Sequence, residues 1–251
     1  MKLYHPVHEF QASGVVTAGI SLRHGGVSRA PYTSLNLAEH VGDDESAVAS
    51  NRDMLFQHTN LKNLHYCRQI HSTSVIDVDN GTGTVPEVPP EADALVSAHC
   101  GTALGIFTAD CVPIFILDFD TPAIGIAHAG WRGTFDRIAV NTLAQMKVSF
   151  GTVPASCQIH LGPSIQKCCY TVSTELLDQF AERFGSAVHD GKNLSLQDAN
   201  LNQLVEAGLP PVSISVSPLC TACRTDLFYS HRAENGQTGR MLSFIQLHTE
   251  N

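Results

Sequence analysis

Two residue types that commonly bind metals lie near the ends of consecutive apolar runs in the middle of the sequence. Cys111 follows Asp110 shortly after the apolar run that ends at Phe107. His128 ends the apolar run Ala123–Ala127 and enters the small-residue segment AGWRG, which we expect to be a turn. Side chains at neighbouring strand ends can converge at one rim of a sheet, and glycines there let a ligand approach the backbone closely. We therefore expect Cys111 and His128 to lie together.

A third candidate ligand is His71, in the segment RQIHS directly before another predicted strand. Two imidazoles and one thiolate suit Zn²⁺, and three protein ligands leave the fourth tetrahedral position open for water, as in catalytic zinc sites. The spacing of the three residues is irregular. Residue types alone therefore leave a second interpretation equally open, in which a buried cysteine lies near two hydrogen-bonded histidines.

Composition limits the classes of function. The chain has 251 residues, of which 43% are hydrophobic and 16% charged, and this balance is typical of a compact globular protein. A net charge of −9 without a Lys/Arg cluster argues against nucleic-acid binding and favours a small-molecule substrate. Residues 1–11 lack the pattern of a secretory signal, and no apolar run reaches the length of a membrane span. We expect a cytoplasmic protein with no membrane partner.

The eight cysteines are expected to be reduced in that compartment. Cys220 and Cys223, in the segment CTAC, are typical of half a structural zinc site, but no second CxxC pair or nearby histidine pair completes it. Cys168 and Cys169 follow a turn without recognisable metal spacing. The sequence therefore predicts that these four are packing or adventitious thiols.

The predicted elements indicate an α+β fold, with a mixed β-sheet core covered by helices in a single large domain over residues 1–251. Eight short β-rich runs predict a multistranded sheet: Val15–Leu22, Val75–Val78, Ala94–Ser97, Ala103–Phe107, Ile114–Leu117, Ala123–His128, Cys157–Leu161 and Ser213–Ser217. Helical periodicity predicts four helices: Glu45–His58 (with Asp43 and Asp44 as caps), Asp136–Phe150, Ser173–Phe184 and Leu196–Ala207. The stretch Gly81–Pro90 is expected to be a loop.

Several motifs resemble, in sequence and order, those of YfiH-like proteins, which are also labelled polyphenol oxidases or laccase-domain proteins. The motifs are RHGGVSRAPYTSLNLAEHVGDDESAVASNR, RQIHS, EADALVS, TADCVPIFILD, AHAGWRGT, LGPSIQKCCYTV and FYSHRAENGQTGR. The resemblance spans nearly the whole chain, and ADC followed by HAGWRG is highly specific. It implies a Zn²⁺ site on His71, Cys111 and His128, and phosphorolysis of adenosine, inosine and methylthioadenosine with accompanying adenosine deamination. Copper is a further metal that such ligands bind.

Phosphorolysis requires cations that hold phosphate, and arginine is the side chain best shaped for this. Arg132 is the strongest candidate because it lies beside His128. Further candidates for substrate binding lie in or beside the motifs: Arg23, Arg52, Arg232, Arg240, His24 and His40. Tyr170 and Phe135 are aromatic residues that could stack on a purine ring.

Deamination requires a proton shuttle near the open metal position. Asp110, next to Cys111, and Asp93, in the EADALVS segment, are the candidate catalytic acids or bases. Either carboxylate could instead cap a turn or orient a histidine ligand.

Three other functions remain open. A copper polyphenol oxidase is disfavoured because the sequence has no His-x-His pair and no methionine soon after Cys111. A hydrolase could use Cys111 as nucleophile with His128 as base, or keep the metal as a zinc-hydroxide amidase. A small-molecule binding or sensing module would need no turnover.

Overall fold

The structure is a computed structural model that describes residues 2–11, 14–80 and 85–248. Its strands are β1 Tyr4–Pro6, β2 Val16–Ser21, β3 Leu64–Tyr66, β4 Val75–Asp77, β5 Ala94–Ser97, β6 Ala103–Thr108, β7 Val112–Asp118, β8 Ala123–Ala129, β9 Cys157–Leu161, β10 His189–Asp190, β11 Asn193–Leu194, β12 Ile214–Val216 and β13 Met241–Leu247. Its α-helices are α1 His8–Gln11, α2 Glu45–Thr59, α3 Trp131–Phe135, α4 Ile138–Phe150, α5 Thr174–Phe184 and α6 Leu196–Glu206.

The strands form two large sheets, with the orders β1-β2-β13-β6-β3 and β12-β9-β7-β8-β5-β4, and a small β10-β11 pair. Most neighbours are antiparallel, whereas β3–β6, β4–β5 and β9–β12 are parallel. The predicted mixed α+β fold is confirmed. The sequence predicted a core built on one sheet, whereas the structure has two packed sheets. Leu104 and Ile245 of the first sheet pack with Phe115 and Ile126 of the second.

Helices cover the outer faces of both sheets. Met146 of α4, Phe180 of α5 and Leu204 of α6 belong to the cluster on the six-stranded sheet. Leu55 of α2 packs with Phe244 of β13 on the five-stranded sheet. Each such side chain, fully buried, stabilises the fold by about 1.5–3 kcal/mol. The two packed sheets therefore form a rigid support for residues at their rims.

Helices α2, α5 and α6 each begin at a polar residue whose side chain accepts a hydrogen bond from a backbone amide of the first turn. The side chain of Asp44 accepts a hydrogen bond from Ala47 N at 3.0 Å, as expected of an N-cap. The predicted helix over Asp136–Phe150 is wrong at its start, because Arg137 has a left-handed φ of 67° and α4 begins at Ile138. The AGWRG segment is not a turn, because Gly130 is the N-cap of the short helix α3.

The longest strand that the sequence analysis missed is β13. All its residues are buried, because it lies between β2 and β6 inside the five-stranded sheet. Of the expected loop Gly81–Pro90, residues 81–84 lie outside the described residues, and 85–90 contain no helix or strand. Within the part of the chain that the structure describes, no helix is long and apolar enough to cross a membrane.

Candidate metal centre

The pairing of β7 with β8 brings Cys111 and His128 to one rim of the six-stranded sheet. The two strands are antiparallel, with Val112 opposite Ala129, so the start of β7 lies beside the end of β8. His71 comes from the segment that precedes β4, on the same side. The ligand atoms of His71, Cys111 and His128 all lie within 4.8 Å of one another. The expected convergence of these three residues is therefore present.

The backbone at this rim is shaped for close packing of the ligands. His71 has a left-handed φ of 58°, and its ring centroid lies 4.9 Å from that of His128. A Cβ atom on Gly130 would lie 3.0 Å from His71 Cδ2 and 3.1 Å from Cys111 Sγ. Glycine thus leaves the space that both ligands occupy. His128 is buried, Cys111 is half-buried and His71 is exposed, so the centre opens to solvent on one side.

The carboxylate of Asp93 hydrogen-bonds to both histidines of the centre, through the ring of His128 and the backbone amide of His71. It is fully buried and lies 2.9 Å from His128 Nδ1 through Oδ1, which also accepts the backbone amide of His71 at 3.0 Å. Its Oδ2 accepts the amide of Ile70 at 3.2 Å, and the amide and hydroxyl of Ser72 at 2.6 and 2.8 Å. Burial opposes ionisation, but hydrogen bonds from His128 and Ser72 outweigh it and hold the pKa of Asp93 below its ordinary value.

The Asp93 contact fixes which nitrogen of His128 is available. An ionised carboxylate only accepts hydrogen bonds, so Nδ1 carries the proton and Nε2 is free to face Cys111. Metal-ligating histidines commonly donate their second nitrogen to a carboxylate in this way.

The donor set fits zinc. Ligand bonds of about 2.0–2.3 Å place the ligand atoms of a tetrahedral site about 3.3–3.8 Å apart, which is within the 4.8 Å limit on the separations at this centre. Among the described residues, no fourth His, Cys, Asp or Glu joins the group. One coordination position would therefore remain for substrate or water.

The charges of Cys111 and His128 stabilise each other. Burial raises the pKa of Cys111. The charge of His128 and hydrogen bonds from His128 and His71 lower the pKa by a larger amount, so the thiol ionises more easily than an ordinary cysteine. Burial lowers the pKa of His128, but the Cys111 thiolate and the hydrogen bond to Asp93 raise it above its ordinary value. Without a metal, these shifts favour a thiolate at Cys111 and an imidazolium at His128. A bound metal replaces the proton at Nε2.

This pairing predicts the reactivity of Cys111. In metal-depleted protein, we expect alkylation of Cys111 by iodoacetamide to have a pH midpoint below the value of about 8.5 for a free thiol. Added zinc should stop alkylation of Cys111 and leave the exposed Cys100 reactive. Peptide mass spectrometry after timed alkylation measures both. A midpoint at or above that of a free thiol, or no protection by zinc, would contradict the pairing.

Asp110, next to Cys111, hydrogen-bonds to two other segments of the chain, those of Thr221 and Arg232. It has a left-handed φ of 93° and is buried. Its Oδ1 accepts the hydroxyl of Thr221 at 2.6 Å, and its Oδ2 accepts the backbone amide of Arg232 at 2.7 Å. Both oxygens therefore already have protein donors. The Arg232 guanidinium in turn lies over the ring of Tyr170, 5.1 Å from its centroid.

A second group of polar side chains includes Arg240, which directly precedes β13 of the other sheet and is near enough to Cys111 to be affected by its charge. Burial lowers the pKa of the Arg240 guanidinium, whereas the nearby charges of Cys111 and Asp110 raise it. Partial burial lowers the pKa of His40 as well, and the positive charges of Arg240 and Arg52 lower it further. Arg52 lies over the ring of Phe107, 5.4 Å from its centroid, and the ring of His40 lies 6.4 Å from the same ring, so these two side chains flank one aromatic residue. Arg52 also pairs with Glu39 at 2.6 Å.

Comparisons with known proteins show the family of the chain. The family described as "Multi-copper polyphenol oxidoreductase laccase" matches residues 17–248. The crystal structure of the hypothetical protein YfiH from Bacillus licheniformis has a TM-score of 0.90 and 33% identity, over 98% of this chain and 97% of that one. The chain belongs to the YfiH-like family.

Its YfiH-like relatives carry the name of one enzyme. "Purine nucleoside phosphorylase YlmD" of Geobacillus stearothermophilus is 36% identical over 91% of this chain and 89% of its own. "Purine nucleoside phosphorylase Cgl2154/cg2365" of Corynebacterium glutamicum is also 36% identical, over 91% of this chain and 93% of its own. The structure of the Geobacillus YlmD superposes with a TM-score of 0.86.

Arg23 and Arg132 of this YfiH-like chain contact other residues of the protein. Arg23 pairs with Glu234 at 2.9 Å, donates to the carbonyl of Thr225 at 2.8 Å and stacks on Tyr229. These contacts join distant segments of the fold. Arg132 is exposed and lies over the ring of Trp131, 4.3 Å from its centroid.

The aromatic and histidine candidates also differ in their surroundings. Phe135 packs against Phe180 and Phe184 in the helical layer, so it is not placed to stack on a purine. His24 is exposed. Tyr170 lies near Cys111, whose charge contributes to raising the Tyr170 pKa to about 12 after the larger effect of burial.

The prediction that Cys168, Cys169, Cys220 and Cys223 are packing or adventitious thiols did not foresee that the fold brings the four together. Sulfur atoms of Cys168, Cys169, Cys220 and Cys223 all lie within 4.8 Å of one another. The CTAC segment indicated half of a metal site in the sequence. The other half is the adjacent pair Cys168 and Cys169, which does not have the spacing of a second CxxC motif.

Proposed function

We propose that this chain is a zinc-dependent purine nucleoside phosphorylase that acts on adenosine, inosine and methylthioadenosine and also deaminates adenosine. The observation that carries the proposal is the three-ligand centre of His71, Cys111 and His128, in which His71 is exposed to solvent. The names of relatives at 36% identity support the same reaction. An open coordination position also suits deamination, in which water replaces the amino group at purine C6.

The phosphate site in this proposal consists of Arg240, Arg52 and His40. Arg240 uses Nη1 to bind the carbonyls of Thr238 and Gly239, which orients the guanidinium and leaves other N–H groups for a ligand. Arg52 donates from Nε to the carbonyl of Leu37 and pairs through Nη1 with the exposed carboxylate of Glu39 at 2.6 Å, which phosphate would have to displace or share. Half-buried guanidiniums bind phosphate more strongly than exposed ones, because their bonds are less screened.

The reaction requires a nucleophile, a leaving group and a proton. An oxygen of phosphate forms a bond to ribose C1′ while the bond from C1′ to purine N9 breaks, and the electron pair goes to the purine, which takes up a proton. When bound, zinc supplies Lewis acidity at the open position. The proton that phosphate loses as the C1′–O bond forms is the one that the purine takes up. His40, kept neutral by its lowered pKa, would accept this proton at an imidazole nitrogen, and its return to the departing purine closes the cycle.

Both candidate carboxylates are assigned positioning roles. All oxygens of Asp93 and Asp110 already accept hydrogen bonds from protein donors. Asp93 orients the two histidine ligands, and Asp110 holds the segments that carry Thr221 and Arg232. The five hydrogen bonds on Asp93 fill the accepting positions of its two oxygens, whereas each oxygen of Asp110 has one donor, so the positioning role of Asp110 rests on the segments it joins.

Product analysis tests the proposal directly. Zinc-loaded protein is incubated with adenosine, with and without phosphate, and the bases and nucleosides are separated by liquid chromatography. We expect adenine only when phosphate is present, and inosine in both samples. Absence of adenine with phosphate would contradict phosphorolysis, and absence of inosine would contradict the deaminase activity.

Arg240→Ala is expected to raise the KM for phosphate by about 10- to 100-fold, the loss of one charge-assisted contact of about 1.5–3 kcal/mol. Steady-state rates at varied phosphate measure the change. Arg183→Ala is the matched control, because Arg183 stacks on Phe135 at the helical layer. Arg132→Ala decides between the two arginines: an effect there, with none at Arg240, would contradict the assigned phosphate site.

A cysteine hydrolase is the second candidate, and the thiolate and imidazolium of Cys111 and His128 favour it. It requires a metal-free centre, because a ligated thiolate cannot attack. A multicopper oxidase has less support. Among the described residues, only two groups could hold a metal ion, and they lack the clustered histidines that oxygen reduction by several coppers requires.

A further inference from the structure

The four-cysteine cluster is formed by two separate loops. Cys168 and Cys169 follow β9 and precede α5, whereas Cys220 and Cys223 follow β12. Cys223 Sγ lies 3.6 Å from Cys168 Sγ and 3.3 Å from Cys169 Sγ. All four sulfurs lie within 4.8 Å of one another. Residues about 50 positions apart in sequence therefore present their sulfur atoms to one point.

The distances between the sulfurs match a tetrahedral metal site. Zn–S bonds of about 2.3 Å place the sulfurs of a Cys₄ site about 3.8 Å apart. A disulfide requires a separation of about 2.0 Å, far shorter than either distance at Cys223. A disulfide also joins only two of the sulfurs, whereas here four are grouped.

The surrounding backbone is arranged around one sulfur. Backbone amides of Gln166, Ala222 and Cys223 hydrogen-bond to Cys220. The last two are the second and third residues after Cys220, so the CTAC segment folds as a tight turn over its first sulfur. Such amides stabilise a thiolate, which is the form that binds a metal.

The two loops are also joined by backbone hydrogen bonds. The amide of Thr221 donates to the carbonyl of Ser164 at 3.0 Å, and the amide of Ser164 donates to the carbonyl of Leu219 at 3.4 Å. Gln166 Nε2 donates to the carbonyl of Ser217 at 3.0 Å. The sulfurs are thus held close together by the fold itself.

We propose that Cys168, Cys169, Cys220 and Cys223 bind a second zinc ion, with a structural role. Four protein ligands close the tetrahedron, which is the arrangement of structural zinc and leaves no position for substrate. The ion would fasten the loop 164–170 to the loop 217–224.

This fastening reaches the first metal centre. Thr221, next to Cys220, donates its hydroxyl to Asp110, the residue before Cys111. Tyr170, next to Cys169, lies under the guanidinium of Arg232, whose backbone amide also binds Asp110. The second zinc is therefore expected to position residues around the first centre without contacting substrate.

Metal counting on the full chain, purified with reductant and without chelator, tests the proposal. Inductively coupled plasma mass spectrometry should find two equivalents of zinc in the wild type, one in each centre. Cys220→Ser and Cys223→Ser should each lose one equivalent, whereas Cys100→Ser, an exposed cysteine outside the cluster, should lose none.

The double variant His71→Ala/His128→Ala provides the second arm and does not depend on the folding of cysteine variants. It should keep one zinc, with only sulfur ligands at about 2.3 Å by X-ray absorption. No zinc in this folded variant, nitrogen ligands, or a disulfide among the four cysteines in the protein purified with reductant would overturn the proposal. An inactive wild type that retains the all-sulfur site would refute the phosphorylase and leave the second zinc established.

Discussion

His128→Ala is expected to lose the zinc of the first centre and to lower kcat/KM for inosine by on the order of 10³-fold. His128 is the buried ligand, held by Asp93 at 2.9 Å, and its loss leaves Cys111 without the neighbour that favours the thiolate. Removing a Lewis acid worth several kcal/mol in the transition state gives a loss of this size. Zinc content and phosphorolysis rate are measured on the same sample.

His160→Ala is the matched control for this change. His160 is also a buried histidine of the six-stranded sheet, on β9, and its Nδ1 lies 2.7 Å from the hydroxyl of Ser215. Replacing His160 should lower the free energy of unfolding, while the folded variant keeps its zinc content and its kcat/KM for inosine. Full activity in His128→Ala, or equal losses in both variants, would contradict the assigned role of His128.

Asp93→Asn is expected to weaken zinc binding by about 10- to 100-fold and to lower the free energy of unfolding by about 3 kcal/mol. The carboxylate accepts hydrogen bonds from the backbone at residues 70–72, the Ser72 hydroxyl and the His128 ring. An amide has one accepting oxygen, so its NH₂ group would face donors that have no other partner. Chelator competition measures the affinity, and urea unfolding measures the stability.

Asp118→Asn separates the two effects of the Asp93 change. Asp118 is equally buried, at the far end of β7 from Cys111, and its Oδ1 accepts from the amides of Asp120 and Thr121 and the hydroxyl of Ser156. This variant should lose stability and keep its zinc affinity. If Asp93→Asn binds zinc as tightly as the wild type, Asp93 does not position the ligands.

Sequence patterns predicted the parts of the fold that depend on local order. The helices α2, α5 and α6 have polar caps, such as Asp44 and Ser173, and α5 also has a clear apolar face. Cys111 and His128 could be placed together because each borders a strand, and adjacent strands share a rim. His71 joined them through motif resemblance, since its segment lies outside that strand pair.

Features that depend on distant contacts escaped the sequence analysis. The strand β13 is buried on both faces, so it lacks the alternation of a half-buried strand. The role of Arg23 is decided by Glu234, which lies 211 positions away. The grouping of the four cysteines also depends on a distant contact. The adjacent pair Cys168–Cys169 does not resemble a metal-binding motif by itself, and only the fold brings it to Cys220 and Cys223.

The most direct test of the central claim follows the fate of phosphate. Zinc-loaded protein is incubated with inosine and inorganic phosphate, and the reaction is observed by ³¹P NMR, with His71→Ala/His128→Ala as the comparison. We predict that the phosphate signal decreases as a ribose 1-phosphate signal appears, at a rate that the double variant does not approach. Hypoxanthine formed without any ribose 1-phosphate, or an equal rate in the double variant, would contradict a zinc-dependent phosphorylase.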